Sequence, residues 1–273
     1  MYPKYLLIGL IVILLINCKQ VDKQPCNDHF IKGNYYMLSC EFDSAISEFD
    51  KAIEQDSQNA YAYYGKGEVY LLQSNFEKAV SNFDKAIEIN PKFILAYSSR
   101  GSAQQMVGNV ENSIKDFQQA INLKSDFMFP MILKSSQEAV IGKHKNAIED
   151  LDNAIKLKSD FYISYYYRGM YKHAIGDING ALADFDKLIK LKPDYINAYY
   201  YRGYFFGELK NYKSAIADLS KSIALKIDYA DAYTLRGRYE YIIGQKELGC
   251  IDFKKGKEFG DKNADIYIEK YCK

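Results

Sequence analysis

Residues 162–195 read YISYYYRGMYKHAIGDINGALADFDKLIKLKPDY, and residues 196–229 read INAYYYRGYFFGELKNYKSAIADLSKSIALKIDY. Laid over each other without a gap, Tyr165 falls on Tyr199, Arg168-Gly169 on Arg202-Gly203, Ala181 on Ala215 and Asp184 on Asp218. The register runs outward in both directions. Glycine recurs every 34 residues at Gly33, Gly67, Gly101, Gly169, Gly203 and Gly237, with the small Ser135 in the remaining place. Twelve residues on lies a second small series: Ala45, Ala79, Ser113, Ala147, Ala181, Ala215 and Gly249. Four further on lies a bulky one: Phe49, Phe83, Phe117, Leu151, Phe185, Leu219 and Phe253.

Each unit holds two amphipathic stretches of about a dozen residues with the 3.6-residue period of a helix. The small residues allow the two helices to approach closely, and the bulky ones fill the groove beside that contact. Gly108, Gly142, Gly176 and Gly244 fall between the paired helices, and Pro91 and Pro193 follow the second helix, where a missing N–H ends it. One hairpin cannot bury its apolar face, but a stack of them can. The spacing therefore predicts an all-α chain with seven units at 26–59, 60–93, 94–127, 128–161, 162–195, 196–229 and 230–263. Residues 264–273, with Ile266, Tyr267, Ile268 and Tyr271, read as one more helix that caps the last hairpin. Cys250 and Cys272 would then lie close enough to pair if their Cα atoms come within about 7 Å.

Numbered within the unit, positions 4, 8, 20, 24, 27 and 32 carry a resemblance to the tetratricopeptide repeat. Position 4 is Tyr63, Tyr97, Tyr165, Tyr199 and Tyr233, with His29 and Met131 in the other two units. Position 27 is Ala52, Ala86, Ala120 and Ala154, then degrades to Leu188, Ser222 and Gly256. The resemblance implies a right-handed solenoid whose first helices line a concave groove, and a role in binding proteins. Such a period is specific for fold and nearly silent on ligand.

The resemblance assigns the groove to positions 2, 5, 9 and 12. The family's chaperone-tail binders hold a terminal carboxylate with Lys and Asn at positions 5 and 9. Only Asn34 fits, so that activity is not implied. Units five and six instead place Tyr166, Met170, His173, Tyr200 and Tyr204 at groove positions. Tyrosine supplies a large amphipathic contact at low entropic cost, which suits a binding strip. The alternative is that these rings are packing between helices.

A cation precedes each small residue of position 8: Lys32, Lys66, Arg100, Lys134, Arg168, Arg202 and Arg236. Sixteen residues later stands an acid or amide: Glu48, Asn82, Asp116, Asp150, Asp184, Asp218 and Asp252. The cations could form an anion-binding ladder or a row of ion pairs between paired helices. The matched acids favour the second, since each would neutralise an anion site.

The chain opens with the weakly basic Tyr2-Pro3-Lys4-Tyr5 and an apolar run from Leu6 to Ile16. Eleven residues are too few to span a bilayer, which needs roughly 20. The run has the proportions of a secretory signal at 1–17. Leu15-Ile16-Asn17-Cys18 resembles a bacterial lipobox, departing from it at Asn17, where Gly, Ala or Ser is usual. The resemblance implies a diacylglyceryl thioether on Cys18, an N-acyl chain in many bacteria, and a short tether over 18–25. Two or more acyl chains make such an anchor stable. An ordinary signal peptide beside an unrelated Cys, or an uncleaved anchor, would give the same run. The expected place is the bacterial cell envelope, on the outer membrane where there are two.

The 36 basic and 35 acidic side chains nearly cancel, and residues 1–17 contribute only Lys4. A neutral chain has no global attraction for nucleic acid. No catalytic constellation is present: His29, His144 and His173 lie far apart, and the glycines follow the repeat rather than clustering in a phosphate loop. Cys26, His29 and Cys40 lack a fourth metal ligand. No enzyme, metal or cofactor is expected. Two functions remain: a membrane-anchored adaptor that holds a peptide segment or protein partner in its groove, and a structural or self-associating envelope component with the repeats as spacer.

Overall fold

The computed structural model describes residues 28–272. The signal segment, Cys18, its tether, Cys26 and Lys273 lie outside the described residues. Within them the chain is helical throughout, with no strand. It divides into two compact units, one ending at Leu123 and the other beginning at Lys124.

The first unit holds three hairpins. These are α1 (Asp28–Leu38) with α2 (Phe42–Gln55), α3 (Ala60–Leu72) with α4 (Phe76–Ile89), and α5 (Ile94–Met106) with α6 (Val110–Leu123). The second holds four: α7 (Met128–Val140) with α8 (His144–Leu157), α9 (Tyr162–Ala174) with α10 (Ile178–Leu191), α11 (Ile196–Glu208) with α12 (Tyr212–Leu225), and α13 (Ala230–Ile242) with α14 (Lys246–Glu258). The eight-residue α15 (Ala264–Tyr271) follows and packs on α14. In each unit the two helices of a hairpin pack together and the second packs on the first helix of the next. This is the stacking of a helical-repeat solenoid.

The glycine series does something more specific than permit close approach. In four hairpins it leaves room for the bulky ring sixteen residues later. A Cβ on Gly67 would lie 2.6 Å from the Phe83 ring, and one on Gly169 would lie 2.8 Å from Phe185. Phe49, Phe83, Phe117, Leu151, Phe185, Leu219 and Phe253 are all completely buried. In the last hairpin the fit tightens further, because a Cβ on Gly237 would lie 2.7 Å from the Gly249 carbonyl oxygen. Ser135 stands in for glycine with its hydroxyl donating to the Ile132 carbonyl at 2.7 Å.

Every hairpin turns on a residue with positive φ at the same repeat position: Cys40, Ser74, Gly108, Gly142, Gly176, Lys210 and Gly244. Four are glycine, which adopts that conformation freely. Asn75, Asp177 and Asn211 follow such residues and cap the next helix, accepting from Lys78, Gly180 and Ser214 N–H. No described helix is long and apolar enough to cross a membrane.

Candidate binding groove

From Lys66 to Arg236 the row of cations resolves into ion pairs. Arg202 lies against Asp218 in its own hairpin, with Nε and Nη2 each donating over 2.7 Å. Its Nη1 reaches back 2.6 Å to Asp186 in the second helix of the preceding hairpin. Arg100 and Arg168 repeat the arrangement, clamping Asp116 and Asp184 and reaching back to Asp84 and Asp152. The backward acid was not read from the sequence, although Asp50, Asp84, Asp152 and Asp186 stand in register two residues past the expected one. Arg236 differs. Its backward partner is the neutral Ser220 hydroxyl, and a second carboxylate, Glu240, comes from its own helix 3.8 Å away. Lys134 likewise pairs with Asp150 and with Glu138 of its own helix. The cations of hairpins two to seven are thus engaged and not free to form an anion ladder.

The five tyrosine-strip residues fall into three groups. Tyr166 is half-buried, edge-on to Phe185, Tyr195 and Tyr201, and Met170 packs against the same core. Burial among other tyrosines raises the Tyr166 phenol above its ordinary value, so it remains a hydrogen-bond donor at neutral pH. His173 stacks on Phe205 at 4.5 Å and places Nε2 2.7 Å from Glu208, while Tyr204 donates to the other Glu208 oxygen at 2.9 Å. That hydrogen bond, followed by burial, raises the Tyr204 phenol. Glu208 thus joins groove residues of two hairpins and was missed in the sequence. Tyr200 stands apart, tilted against Tyr229 with ring centres 5.1 Å apart, and its phenol is raised by burial.

Tyr200 also borders a cavity of about 550 Å³ at the C-terminal end of the second unit. Its other walls include Thr234, Leu235 and Arg238 of α13, and Tyr267 and Lys270 of α15. Thr234 and Arg238 occupy groove positions 5 and 9 of the last hairpin. Two carboxylates, Asp231 and Asp261, border it as well. Each sits at a helix start, where the backbone offsets negative charge: Asp231 in the first turn of α13, and Asp261 accepting the Asn263 N–H ahead of α15. Arg238 has no such compensation. It is exposed, in mid-helix, and forms no ion pair with the described residues, unlike Arg100, Arg168, Arg202 and Arg236. Lys270 lies over the Tyr271 ring at 5.1 Å. The cavity thus has aromatic walls, two carboxylates at helix starts, and two cations that form no ion pair with the described residues.

No described group of three His, Cys, Asp or Glu residues is placed to hold a metal ion. His29 instead pairs with Glu48 through Nδ1 at 2.6 Å.

Residues 60–93, which form α3 and α4, match the family model of the tetratricopeptide repeat. The second hairpin is thus similar to a tetratricopeptide repeat. The other hairpins keep the same register of small and bulky residues, and solved tetratricopeptide repeat structures share the fold. The C-terminal part of a tetratricopeptide repeat-containing protein from Cytophaga hutchinsonii superposes with a TM-score of 0.74 at 17% identity, over 87% of this chain and 98% of that one. A tetratricopeptide repeat protein from Parabacteroides merdae gives 0.64 at 17% identity, over 90% and 98%. YrrB, described as a tetratricopeptide repeat protein with an unusual peptide-binding site, gives 0.60 at 22% identity, over 67% and 95%. No curated protein matches the sequence.

Proposed function

We propose that this tetratricopeptide repeat chain is a non-catalytic adaptor, anchored in the bacterial envelope by lipid on Cys18, that holds a peptide segment of a protein partner in the groove of its second unit. The carrying observation is the cavity at the groove positions of the last hairpin, where Arg238 stands without a carboxylate. The segment runs past His173 and Tyr204 and ends beside Tyr200. It presents an acidic side chain or chain terminus to Arg238 and Lys270, next to an apolar side chain against the tyrosines. Tyrosine and arginine are the residue types that most often carry binding energy. The peptide-binding description of YrrB supports the reading by analogy of fold. The bond between Cys250 and Cys272 supports the envelope, because disulfides persist in oxidising compartments.

The test is selection of random short peptides on the immobilised mature protein, repeated with Arg238→Ala and with Tyr200→Ala/Tyr204→Ala. Peptides with an acid beside an apolar residue should be enriched. Each variant should bind them with a loss of about 2 kcal/mol, the size of a binding hot spot, while melting close to the parent. Absence of enrichment, or equal capture by both variants, would overturn the reading. Equal loss of folding and binding in the tyrosine variant would assign those rings to helix packing.

A further inference from the structure

We propose that α15 is a disulfide-latched wall of the groove, so that the cavity holds its peptide segment more tightly while Cys250 and Cys272 are joined. The inference rests on the groove reading and adds its regulation.

On its own α15 is a weak helix. It has eight residues, and helices shorter than about 12–15 are marginal in water without tertiary support. Only Ala264 is buried. No side chain caps its start, and its ion pair, Asp265 with Lys257, joins two exposed groups. Such a pair contributes little. What remains is aromatic packing of Tyr267 and Tyr271 on Phe253, with Tyr271 also against Tyr241, and the bond from Cys272 to Cys250 on α14. The bond fastens the end of α15 that is farther from the chain connection. Ile266, Tyr267, Lys270 and Tyr271 of that helix form one side of the cavity. A peptide bound there needs this side in place.

Reduction by a dithiol would open the latch. One sulfur of the reductant attacks either cystine sulfur and expels the other as a thiolate. The second reductant thiol then closes on the mixed disulfide. The balance is two cysteine thiols on the protein and one cyclic disulfide on the reductant. The cap would then spend part of its time undocked, and apparent affinity would fall in proportion to the docked fraction.

The experiment uses the mature full chain in three forms: oxidised, reduced with dithiothreitol, and with Cys250→Ala and Cys272→Ala together, which needs no reductant. Amide hydrogen exchange is followed over residues 264–271, with α12 as the internal reference. Binding is followed with fluorescein-labelled short peptides carrying Glu or Asp beside Phe or Leu. Reduction and the double variant should each speed exchange in the cap, leave α12 unchanged, and weaken peptide binding about tenfold, as a docked fraction near one-tenth would. Cap exchange that is the same in all three forms would overturn the latch and leave the groove reading standing. Faster cap exchange with undiminished peptide binding would also overturn it, since the wall would then not be needed. Failure of the oxidised protein to bind any of the peptides would remove the groove reading and this inference with it.

Discussion

Replacing Arg202 with Met tests whether the ion-pair rows hold the hairpins together. The guanidinium makes two charged hydrogen bonds to Asp218 and one to Asp186. Its two partners differ sharply in environment: the Asp218 side chain is 10% exposed and that of Asp186 is 53% exposed. Methionine keeps most of the stem's packing and removes the charge. A carboxylate then stays buried on α12 without its bidentate partner, a situation that costs about 3–5 kcal/mol. Removing the exposed partner with Asp186→Asn should cost only about 0.2–1 kcal/mol, the range for surface pairs. The double change Arg202→Met/Asp218→Leu should recover most of the loss, because well-packed apolar residues often replace a buried pair without penalty. The assay is urea unfolding of all four proteins, with hydrogen exchange in α11 and α12 to locate the change, since repeat arrays need not unfold in one step. The reasoning fails if Arg202→Met costs under about 0.5 kcal/mol, or if Asp186→Asn costs as much.

Gly169→Leu should destabilise by about 1–3 kcal/mol or more, because the side chain would enter the Phe185 ring; calorimetry showing a melting point within a degree of the parent would refute this. Burial, and then the charge of Asp252, hold the Glu240 carboxyl up at about 7 against an ordinary 4.5, with Arg236 opposing. Between those values the folded chain keeps a proton that the unfolded chain has lost, so this group's contribution is full below pH 4.5 and falls as pH rises to 7. Glu240→Gln should flatten that slope in denaturation curves taken across the window, and an unchanged slope would exclude the group as its source. Cys18→Ala should release the protein from membranes or leave an unprocessed precursor, read by fractionation and mass; a correctly processed, fully membrane-bound variant would remove the lipid anchor.

The all-helical repeat was legible because each hairpin imposes the same steric demand at the same place. A ring at Phe83 or Phe185 needs a glycine at Gly67 or Gly169, and that pairing leaves a fixed spacing in the chain. The disulfide was approachable for a related reason, since a cap on the last hairpin brings Cys272 near Cys250. The groove was less legible. Position numbers marked Tyr166 and Tyr200 alike, yet Tyr166 leans on Phe185 while Tyr200 borders the cavity. That difference depends on ring directions set by Tyr195, Tyr201 and Tyr229, which the repeat does not encode. Glu208 and Arg238 escaped because their importance lies in partners held or lacking across neighbouring hairpins. The fixed spacing of Asp152 and Asp186 from their arginines could have been read, whereas spacing cannot show that Arg238 forms no ion pair with the described residues.

The exchange of Asp for Ser220, together with Glu240 beside Arg236, changes how the seventh hairpin is joined to the sixth. At the junctions entering the fifth and sixth hairpins, a charged strut crosses from one hairpin to the next: Arg168 to Asp152, and Arg202 to Asp186. At the junction entering the seventh, the crossing is a neutral hydroxyl bond, and the second carboxylate has moved inside the hairpin. In a linear array, stability is approximately the sum of each hairpin's own stability and such neighbour couplings. Hairpin seven and its cap, cross-linked internally by Cys250 and Cys272, are therefore held to hairpin six by packing and a neutral hydrogen bond, without the crossing pair worth about 0.2–1 kcal/mol at the two preceding junctions. The coupling between hairpins six and seven should accordingly be less sensitive to salt than those between hairpins four, five and six, at the end of the groove where the cavity lies.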